Sequence, residues 1–381
     1  MEVGVRFRNL TFGAVLTAVL AAGCGGSEGE VSLTPTQPPA SSPSPITASG
    51  KVAYINTDGN LALMNPDGSG VEALTDGGGI EGLRWSPDGS LIAVEGGEGA
   101  GFGLRVIGAD GGLSFELGDA STPVWSPLGD RLVVSEGSSI AVYDLGGSRL
   151  LEVPNATGAE WSPDGKTLAF LRPEEVAGGK AVPLLVDVSS GQERPLSDQI
   201  EADEPIYPIL WHPAGELIAY RDSLYDPATG EKEDLPGVAS FWSPDGRLLL
   251  VTLGFDAQNN STTAHLLDFS QGQPIIGLEV RPTAEVTPAW LYIHRWTAWS
   301  PDSRYLVYID PDPFRPRVRI YDTVAVTQDI LRDIKGERPS VSPDGRHAAF
   351  MFEGKVWILA LDGSVLQDVS EGSYPAWQPG G

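Results

Sequence analysis

The chain has 381 residues, 41% of them hydrophobic, and carries 25 Lys and Arg against 51 Asp and Glu, a formal net charge of −26. Nucleic acid is excluded as a partner, because contact with phosphates needs a basic surface, and so is flat binding to anionic lipid. Cys24 is the only cysteine, which excludes an intrachain disulfide. The excess of carboxylates indicates solubility through self-repulsion; a cationic partner or bound Ca²⁺ is the more specific alternative.

The N-terminus has the pattern of a secretory signal over 1–23. Two arginines precede an apolar run from Leu10 to Leu20, and small residues then lead to Cys24. Such a run is too short for an ordinary membrane span. Small residues directly before a cysteine resemble the lipobox of bacterial lipoproteins, which implies lipidation of Cys24. An ordinary signal peptide with an incidental cysteine is the alternative.

Residues 24–50 consist mainly of Gly, Ser, Thr and Pro, with five prolines. This composition cannot bury a core and predicts a disordered tether between Cys24 and a folded domain at 51–381. We therefore expect an extracytoplasmic protein that its N-terminal lipid anchors to the cell membrane or the outer membrane.

A motif of the form Trp-Ser-Pro-Asp-Gly recurs eight times along the rest of the chain. Successive copies start 31 to 57 positions apart. Pro and Gly supply the backbone angles of a tight turn, and the aromatic ring suits packing between sheets. A repeat of roughly 40 residues built on short strands is typical of a β-propeller blade. The copies begin at Trp85, Trp125, Trp161, Trp211, Trp242, Trp299, Val341 and Trp377.

Each repeat predicts four strands, named a to d. In the first repeat, strand a ends in the motif, and Leu91–Val94, Leu104–Ile107 and Leu113–Leu117 follow as strands b, c and d. A second marker, Asp or Asn with a following Gly, recurs eight times at the turn from strand c to strand d. Two independent signals thus give the same number of blades.

The two ends of the repeat region complement each other. Three predicted strands, starting at Val52, Leu61 and Val71, precede the first motif and match strands b, c and d. The last motif, at Trp377, has only a strand a. The fold class is therefore all-β: an eight-bladed β-propeller of four-stranded antiparallel blades, closed by the C-terminal strand a joining the N-terminal strands b, c and d.

The motif and strand order resemble the WD40-like PD40 repeats of TolB-type β-propellers, over about 51–381. Related propellers stand at the N-terminus of prolyl-oligopeptidase-type peptidases. The resemblance implies protein or ligand binding rather than a reaction. Residues that depart from the motif are each expected to loosen one turn or one packing site. They are Leu128, His212, Ala214, Ser303, Val341, Gln378 and Gly380.

Connections between strands vary in length mainly at b–c and d–a, which share one face of a propeller. Long b–c connections are predicted near 95–103, 172–182, 253–263 and 309–316, and long d–a connections near 197–208 and 279–297. Variable loops on a rigid scaffold are typical of a binding surface. The candidate partner-binding residues are Glu174, Glu175, Asp203, Glu204, Trp290, Tyr292, His294, Arg295 and Trp296.

Two of these assignments have simpler alternatives. Aromatic residues beside Arg are typical of binding hot spots, but Trp290 and Trp296 would also serve to pad the entrance to a strand. Asp310 and Asp312 offer oxygen ligands for Ca²⁺ without the spacing of a calcium loop. A solvated acidic rim, which includes Glu95, is the favoured explanation of these carboxylates.

No nucleophile motif, metal-binding pair or phosphate loop follows the tether. The four histidines, His212, His265, His294 and His347, fall in different repeats. We therefore predict a binding scaffold for a protein, peptide or glycan, monomeric and with no cofactor other than Ca²⁺ at Asp310 and Asp312. The alternative is a Ca²⁺-dependent, lactonase-like or sugar-processing enzyme with its site at the channel mouth.

Overall fold

Residues 45–381 form one compact unit. The computed structural model describes residues 46, 48–97, 103–173, 181–198, 200, 207–256, 261–270, 273–280, 297–310, 317–325, 327–332 and 336–380. For strand residues 253–256, 261–264, 273–280, 309–310, 317 and 327–332 only the backbone is described.

The first half of the described chain contains 15 strands. In chain order they are β1 (Val52–Ile55), β2 (Leu61–Met64), β3 (Glu72–Ala73), β4 (Ile80–Trp85), β5 (Leu91–Gly96), β6 (Leu104–Gly108), β7 (Leu113–Leu117), β8 (Ala120–Trp125), β9 (Arg131–Glu136), β10 (Ser139–Asp144), β11 (Arg149–Val153), β12 (Thr157–Trp161), β13 (Thr167–Pro173), β14 (Ala181–Asp187) and β15 (Glu193–Pro195).

A further 17 strands complete the described chain. They are β16 (Ile209–Trp211), β17 (Ile218–Tyr220), β18 (Ser223–Tyr225), β19 (Lys232–Asp234), β20 (Val238–Trp242), β21 (Leu248–Asp256), β22 (Ser261–Asp268), β23 (Gln273–Val280), β24 (Thr297–Trp299), β25 (Tyr305–Asp310), β26 (Arg317–Asp322), β27 (Thr327–Arg332), β28 (Glu337–Val341), β29 (His347–Phe352), β30 (Lys355–Ala360), β31 (Leu366–Glu371) and β32 (Ser373–Trp377).

These strands form eight four-stranded antiparallel sheets, so the predicted fold class is confirmed. Blades 1 to 7 each take four consecutive strands, beginning with β4–β7 and ending with β28–β31. In blade 8, β32 pairs with β1, aligning Trp377 with Val52. The predicted closure of the ring is therefore confirmed. Every element in the described residues is a strand, and none of those residues forms a helix that could cross a membrane.

Strand a is the innermost strand of each blade. The a strands of neighbouring blades contact one another, as β12 does with β16 and β28 does with β32. In a ring of radial sheets only the strands nearest the axis approach in this way. The a–b and c–d turns lie on one end of the propeller, called here the motif face, and the b–c and d–a connections lie on the other, called the loop face.

Eight hydrophobic clusters hold the blades together, one at each interface between neighbours. Strands b and c are buried on both sides, so Val52–Ile55 and Leu61–Met64 read as continuous apolar runs. At the interface between blades 2 and 3, Phe170 and Trp161 from one blade pack with Val142 from the other. The core is thus distributed around the ring.

The motif works as a turn and as an interblade contact. In blade 1 the Ser86 hydroxyl donates to Asp88 at 2.6 Å and accepts the Leu91 N–H at 2.9 Å, closing the a–b turn. Gly89 has a φ of 68°, which a glycine adopts without strain. The Trp85 indole N–H donates at 3.1 Å to the carbonyl of Ala376 in the preceding blade. Turn chemistry and ring packing therefore come from the same five residues.

Three departures from the motif form bonds between neighbouring turns. Gln378 donates at 2.8 Å to the carbonyl of Gly89, across the closure of the ring. The Ser303 hydroxyl accepts the Asp245 N–H at 2.9 Å. His212 Nδ1 accepts the N–H of Ala214, so Nε2 carries the proton and donates at 3.0 Å to the carbonyl of Gly246 in the next blade. Each of these three departures thus forms a bond to a neighbouring turn, and the expected loosening stays a prediction.

Candidate functional site

The described residues include the frame of the loop face but not the predicted binding residues. Asp310 ends β25, and only its backbone is described. The other predicted site residues lie outside the described residues: Cys24, Glu174, Glu175, Asp203, Glu204, Trp290, Tyr292, His294, Arg295, Trp296 and Asp312. The candidate site is therefore built from the strand ends that carry these connections.

Connection lengths differ sharply between the two faces. The a–b turns of blades 1 to 7 contain five residues each, such as 86–90, except for six residues in blade 4, at 212–217. The d–a connections range from the single residue 372 to the 16 residues 281–296. One predicted b–c loop, 253–263, was too long, because β21 continues to Asp256 and β22 begins at Ser261, leaving 257–260. The predicted concentration of variable connections on one face is otherwise confirmed.

Strand a is bulged near the loop face in six of the eight blades. Three bulged residues, Thr122, Arg338 and Tyr374, have φ values of 48°, 55° and 54°. Each stands three residues before the head of its motif. Positive φ is unfavourable for such side chains, and bulges re-aim the residues they contain. The bulges therefore set the direction of side chains around the loop-face mouth of the central channel.

Arg and Tyr pair at this mouth. Arg338 of blade 7 donates from Nη2 to the Tyr374 hydroxyl of blade 8 at 2.7 Å, and its Cζ lies 3.6 Å from the Tyr374 ring centroid. In blade 4, the Cζ of Arg221 lies 5.5 Å from the ring centroid of Tyr207. Tyr and Arg are the residue types enriched in binding hot spots. Sequence reasoning missed these four residues, because contacts between neighbouring a strands and between strand ends bring each pair together.

Glu95, predicted as part of an acidic rim, has a structural role. Its carboxylate accepts the N–H of the bulged residue Thr122 in the next blade at 2.8 Å. The Thr122 hydroxyl in turn bonds the Ser135 hydroxyl at 2.6 Å. A Cβ on Gly82 would meet the Glu95 carboxylate at 2.8 Å, so a side chain at this position would displace Glu95. Glu95 therefore holds one bulge in place.

The residue directly before the head of each motif lies between neighbouring a strands. Ser340 shows this position, because its hydroxyl accepts the Trp377 N–H of the next blade at 3.0 Å. Two of the eight residues are charged, Arg84 and Glu160, whereas the others are Val124, Leu210, Phe241, Ala298, Ser340 and Ala376.

Glu160 is the most perturbed acid of the described residues. Burial raises its pKa to about 7, and the Arg84 guanidinium only partly offsets this effect. Burial also lowers the pKa of His265 and of His347, the latter against the opposing charge of Asp344. The described histidines lie in three different blades, and nowhere in the described residues do three His, Cys, Asp or Glu side chains group as metal ligands. Perturbed acids concentrate at functional sites, which makes Glu160 a candidate.

No family model matches the chain. A curated relative, the uncharacterized peptidase YuxL of Bacillus subtilis, is 29% identical over 151 residues, 37% of this chain and 21% of YuxL. The chain thus spans about a fifth of the length of that relative.

Solved structures share the fold. A eukaryotic initiation factor matches with a TM-score of 0.55 and 13% identity, over 87% of this chain and 98% of its own. Oligogalacturonate lyase from Vibrio parahaemolyticus matches with a TM-score of 0.53 and 12% identity, over 84% and 97%. TolB from Acinetobacter baumannii matches with a TM-score of 0.39 and 19% identity, over 87% and 67%. At such identities the likeness concerns the propeller fold, and the PD40 repeat type stays a prediction.

Proposed function

We propose that this protein is an extracytoplasmic, lipid-anchored β-propeller that binds a protein, peptide or glycan through its loop face. The observation that carries this proposal is the contrast in connection length, from one to 16 residues for d–a connections against five or six for a–b turns. A uniform scaffold with variable connections on one end is the arrangement of many binding proteins. The Arg338–Tyr374 pair and the strand a bulges supply rigid, re-aimed side chains on the same face.

The first strand of the folded domain is entered from the motif face. The Gln378 N–H donates to the Lys51 carbonyl at 2.8 Å, so the chain enters strand b of blade 8 beside a motif turn. YuxL is named as a peptidase, so peptides are the first ligand class to test.

The anchor is tested independently of binding. We expect Cys24→Ala to release the protein from sedimented membranes, and we expect mass spectrometry of the wild-type N-terminal peptide to show a diacylated cysteine. An unmodified Cys24 at a processed N-terminus would contradict the anchor and leave the binding proposal standing.

Binding is tested by shortening one connection on the loop face and by substituting two turn residues on the motif face. Replacing residues 281–296 with a short Gly-Ser linker should abolish co-purification of envelope proteins or peptides that the wild type retains. The matched control is Asp88→Asn with Asp302→Asn on the motif face, which should retain them. Equal recovery with both variants, or recovery of nothing by the wild type, would contradict binding through the loop face.

Glu160 supports a second candidate, an enzyme whose site includes this side chain between neighbouring a strands. A carboxyl group whose pKa lies at about 7 can donate and accept protons near neutral pH. We expect Glu160→Gln to abolish any hydrolytic activity that the purified protein shows on lactone or oligosaccharide substrates. Absence of such activity in the wild type with added Ca²⁺ would exclude this candidate.

A further inference from the structure

A cleft of about 300 Å³ opens on the motif face between blades 3 and 4. Its lining combines the a–b turn of blade 3 with the a–b and c–d turns of blade 4. Asp164, Thr167, Trp211, Gly215 and Pro227 are among the residues that line it. This volume corresponds to about ten water molecules, at the small end of ligand-binding cavities.

The preceding interface shows what fills the corresponding space. Arg131 is the first residue of strand b in blade 2 and reaches across to blade 3. Its Cζ lies 5.3 Å from the ring centroid of Trp161, and its Nη2 donates at 2.9 Å to the carbonyl of Gly165. Trp161 is consequently only 3% exposed.

Thr167 occupies in blade 3 the position that Arg131 occupies in blade 2, six residues after the head of the motif. Its side chain is too short to cover the ring of the next blade, and Trp211 is half-buried rather than buried. Trp211 and Gly215 are the counterparts of Trp161 and Gly165, and both line the cleft. The cleft therefore has the indole ring and the glycine that contact a guanidinium group at the preceding interface, but blade 3 has no arginine at the matching position.

The lining of the cleft includes one carboxylate, that of Asp164. Asp164 lines the cleft where blade 2 has Leu128, and the hydrogen bond from Ser162 keeps the pKa of Asp164 below its usual value. The carboxylate is therefore ionised at neutral pH, and its Oδ2 lies 3.6 Å from the Nζ of the exposed Lys166. Arg194 also lines the cleft, but it donates to the carbonyl of Pro227 and belongs to strand d.

We propose that this cleft binds the guanidinium group of an arginine side chain from a partner peptide, seated over Trp211 as Arg131 is seated over Trp161. The attraction comes from the indole face, the nearby Asp164 carboxylate and the net charge of −26. This site lies on the motif face, so its test is independent of the test of binding through the loop face.

The first test titrates the protein with arginine amide and with citrulline amide, which has nearly the same shape but no charge. Indole N–H signals in ¹H–¹⁵N NMR spectra report the binding, and Trp211→Phe assigns the signal of Trp211. We expect the Trp211 signal to shift with a Kd of roughly 1 mM for arginine amide and at least about tenfold weaker binding of citrulline amide. No saturable shift, or equal binding of both probes, would overturn the proposal.

Two reciprocal substitutions then exchange the residues that distinguish the blade 2–3 interface from the blade 3–4 interface. Thr167→Arg should fill the cleft from within the chain and abolish binding of arginine amide while the protein keeps its cooperative thermal unfolding. Arg131→Thr should open an equivalent cleft over Trp161 and raise the stoichiometry from one to two. Asp164→Asn leaves the cleft open and should weaken binding of arginine amide several-fold. It tests the proposal independently if Thr167→Arg misfolds. Unchanged binding in both Thr167→Arg and Asp164→Asn would overturn the assignment.

Discussion

The two faces of the propeller differ in how their residues are constrained. On the motif face, a serine hydroxyl and an aspartate close nearly every a–b turn, and turn bonds such as that from Gln378 to Gly89 link neighbours. On the loop face, bulges at Thr122, Arg338 and Tyr374 interrupt strand a, and connection lengths vary widely. This difference teaches that the repeated motif encodes a uniform scaffold. Differences between blades come from the connections and from single residues that depart from the motif.

Removal of β32 should have the largest effect on the motif-face scaffold. Deletion of residues 373–381 removes the partner of one edge of β1 and removes Trp377, which is 4% exposed. We expect loss of cooperative thermal unfolding, because both edges of the ring open. Deletion of 379–381 alone is the control and should preserve a single transition. A single transition at the wild-type temperature after the longer deletion would contradict ring closure by β32.

Neutralising Glu160 should stabilise the protein at high pH. Its pKa is raised from 4.5 to about 7, so its ionisation opposes folding progressively as the pH rises from 4.5 to 7. We expect Glu160→Gln to increase the free energy of unfolding by up to about 3 kcal/mol at about pH 8 and to change it little at about pH 4. Urea denaturation at both pH values measures this difference.

The control for Glu160 is Glu81→Gln, an exposed residue of strand a toward the loop face. Its effect should stay within about 0.5 kcal/mol at both pH values. A destabilisation by Glu160→Gln at about pH 8 would show that the carboxylate is instead held by favourable contacts.

The serine of the motif should matter more than a serine of the loop face. Ser243 is fully buried, donates to Asp245 at 2.6 Å and accepts the Leu248 N–H at 2.9 Å. Ser243→Ala leaves that N–H without a partner and should cost about 1–2 kcal/mol in urea denaturation. Ser121→Ala, at an exposed position of β8, should cost less than about 0.5 kcal/mol. Equal losses of unfolding free energy in the two variants would contradict a stronger constraint on the motif face than on the loop face.

Restoring the motif at His212 should be slightly unfavourable. His212→Ser loses the bond to the Gly246 carbonyl and the edge-to-face contact with Trp242, whose ring centroid lies 4.7 Å away. We expect a loss of about 1 kcal/mol in the free energy of unfolding. A gain in stability would indicate that the contacts of His212 with the next blade do not stabilise the protein.

The fold was predictable because the motif repeats local turn chemistry in every blade, so that counting motifs counts blades. The closure by β32 was predictable because the N-terminal end of the repeat region lacks a strand a, whereas the C-terminal end has only a strand a. The cleft over Trp211 was not, since it arises from the short side chain of Thr167 in one blade and a ring in the next. The pKa of Glu160 likewise depends on burial between blades and on Arg84, two blades away, which spacing along the chain does not encode.

Site-specific photocrosslinking in the native envelope tests the functional division between the faces most directly. A photoreactive residue would replace Asn155 or Glu353 on the loop face, and Asp88 or Asp302 on the motif face, all of them exposed. We expect discrete protein or peptide adducts from the two loop-face positions and none from the two motif-face positions. Adducts confined to Asp88 and Asp302 would contradict binding through the loop face.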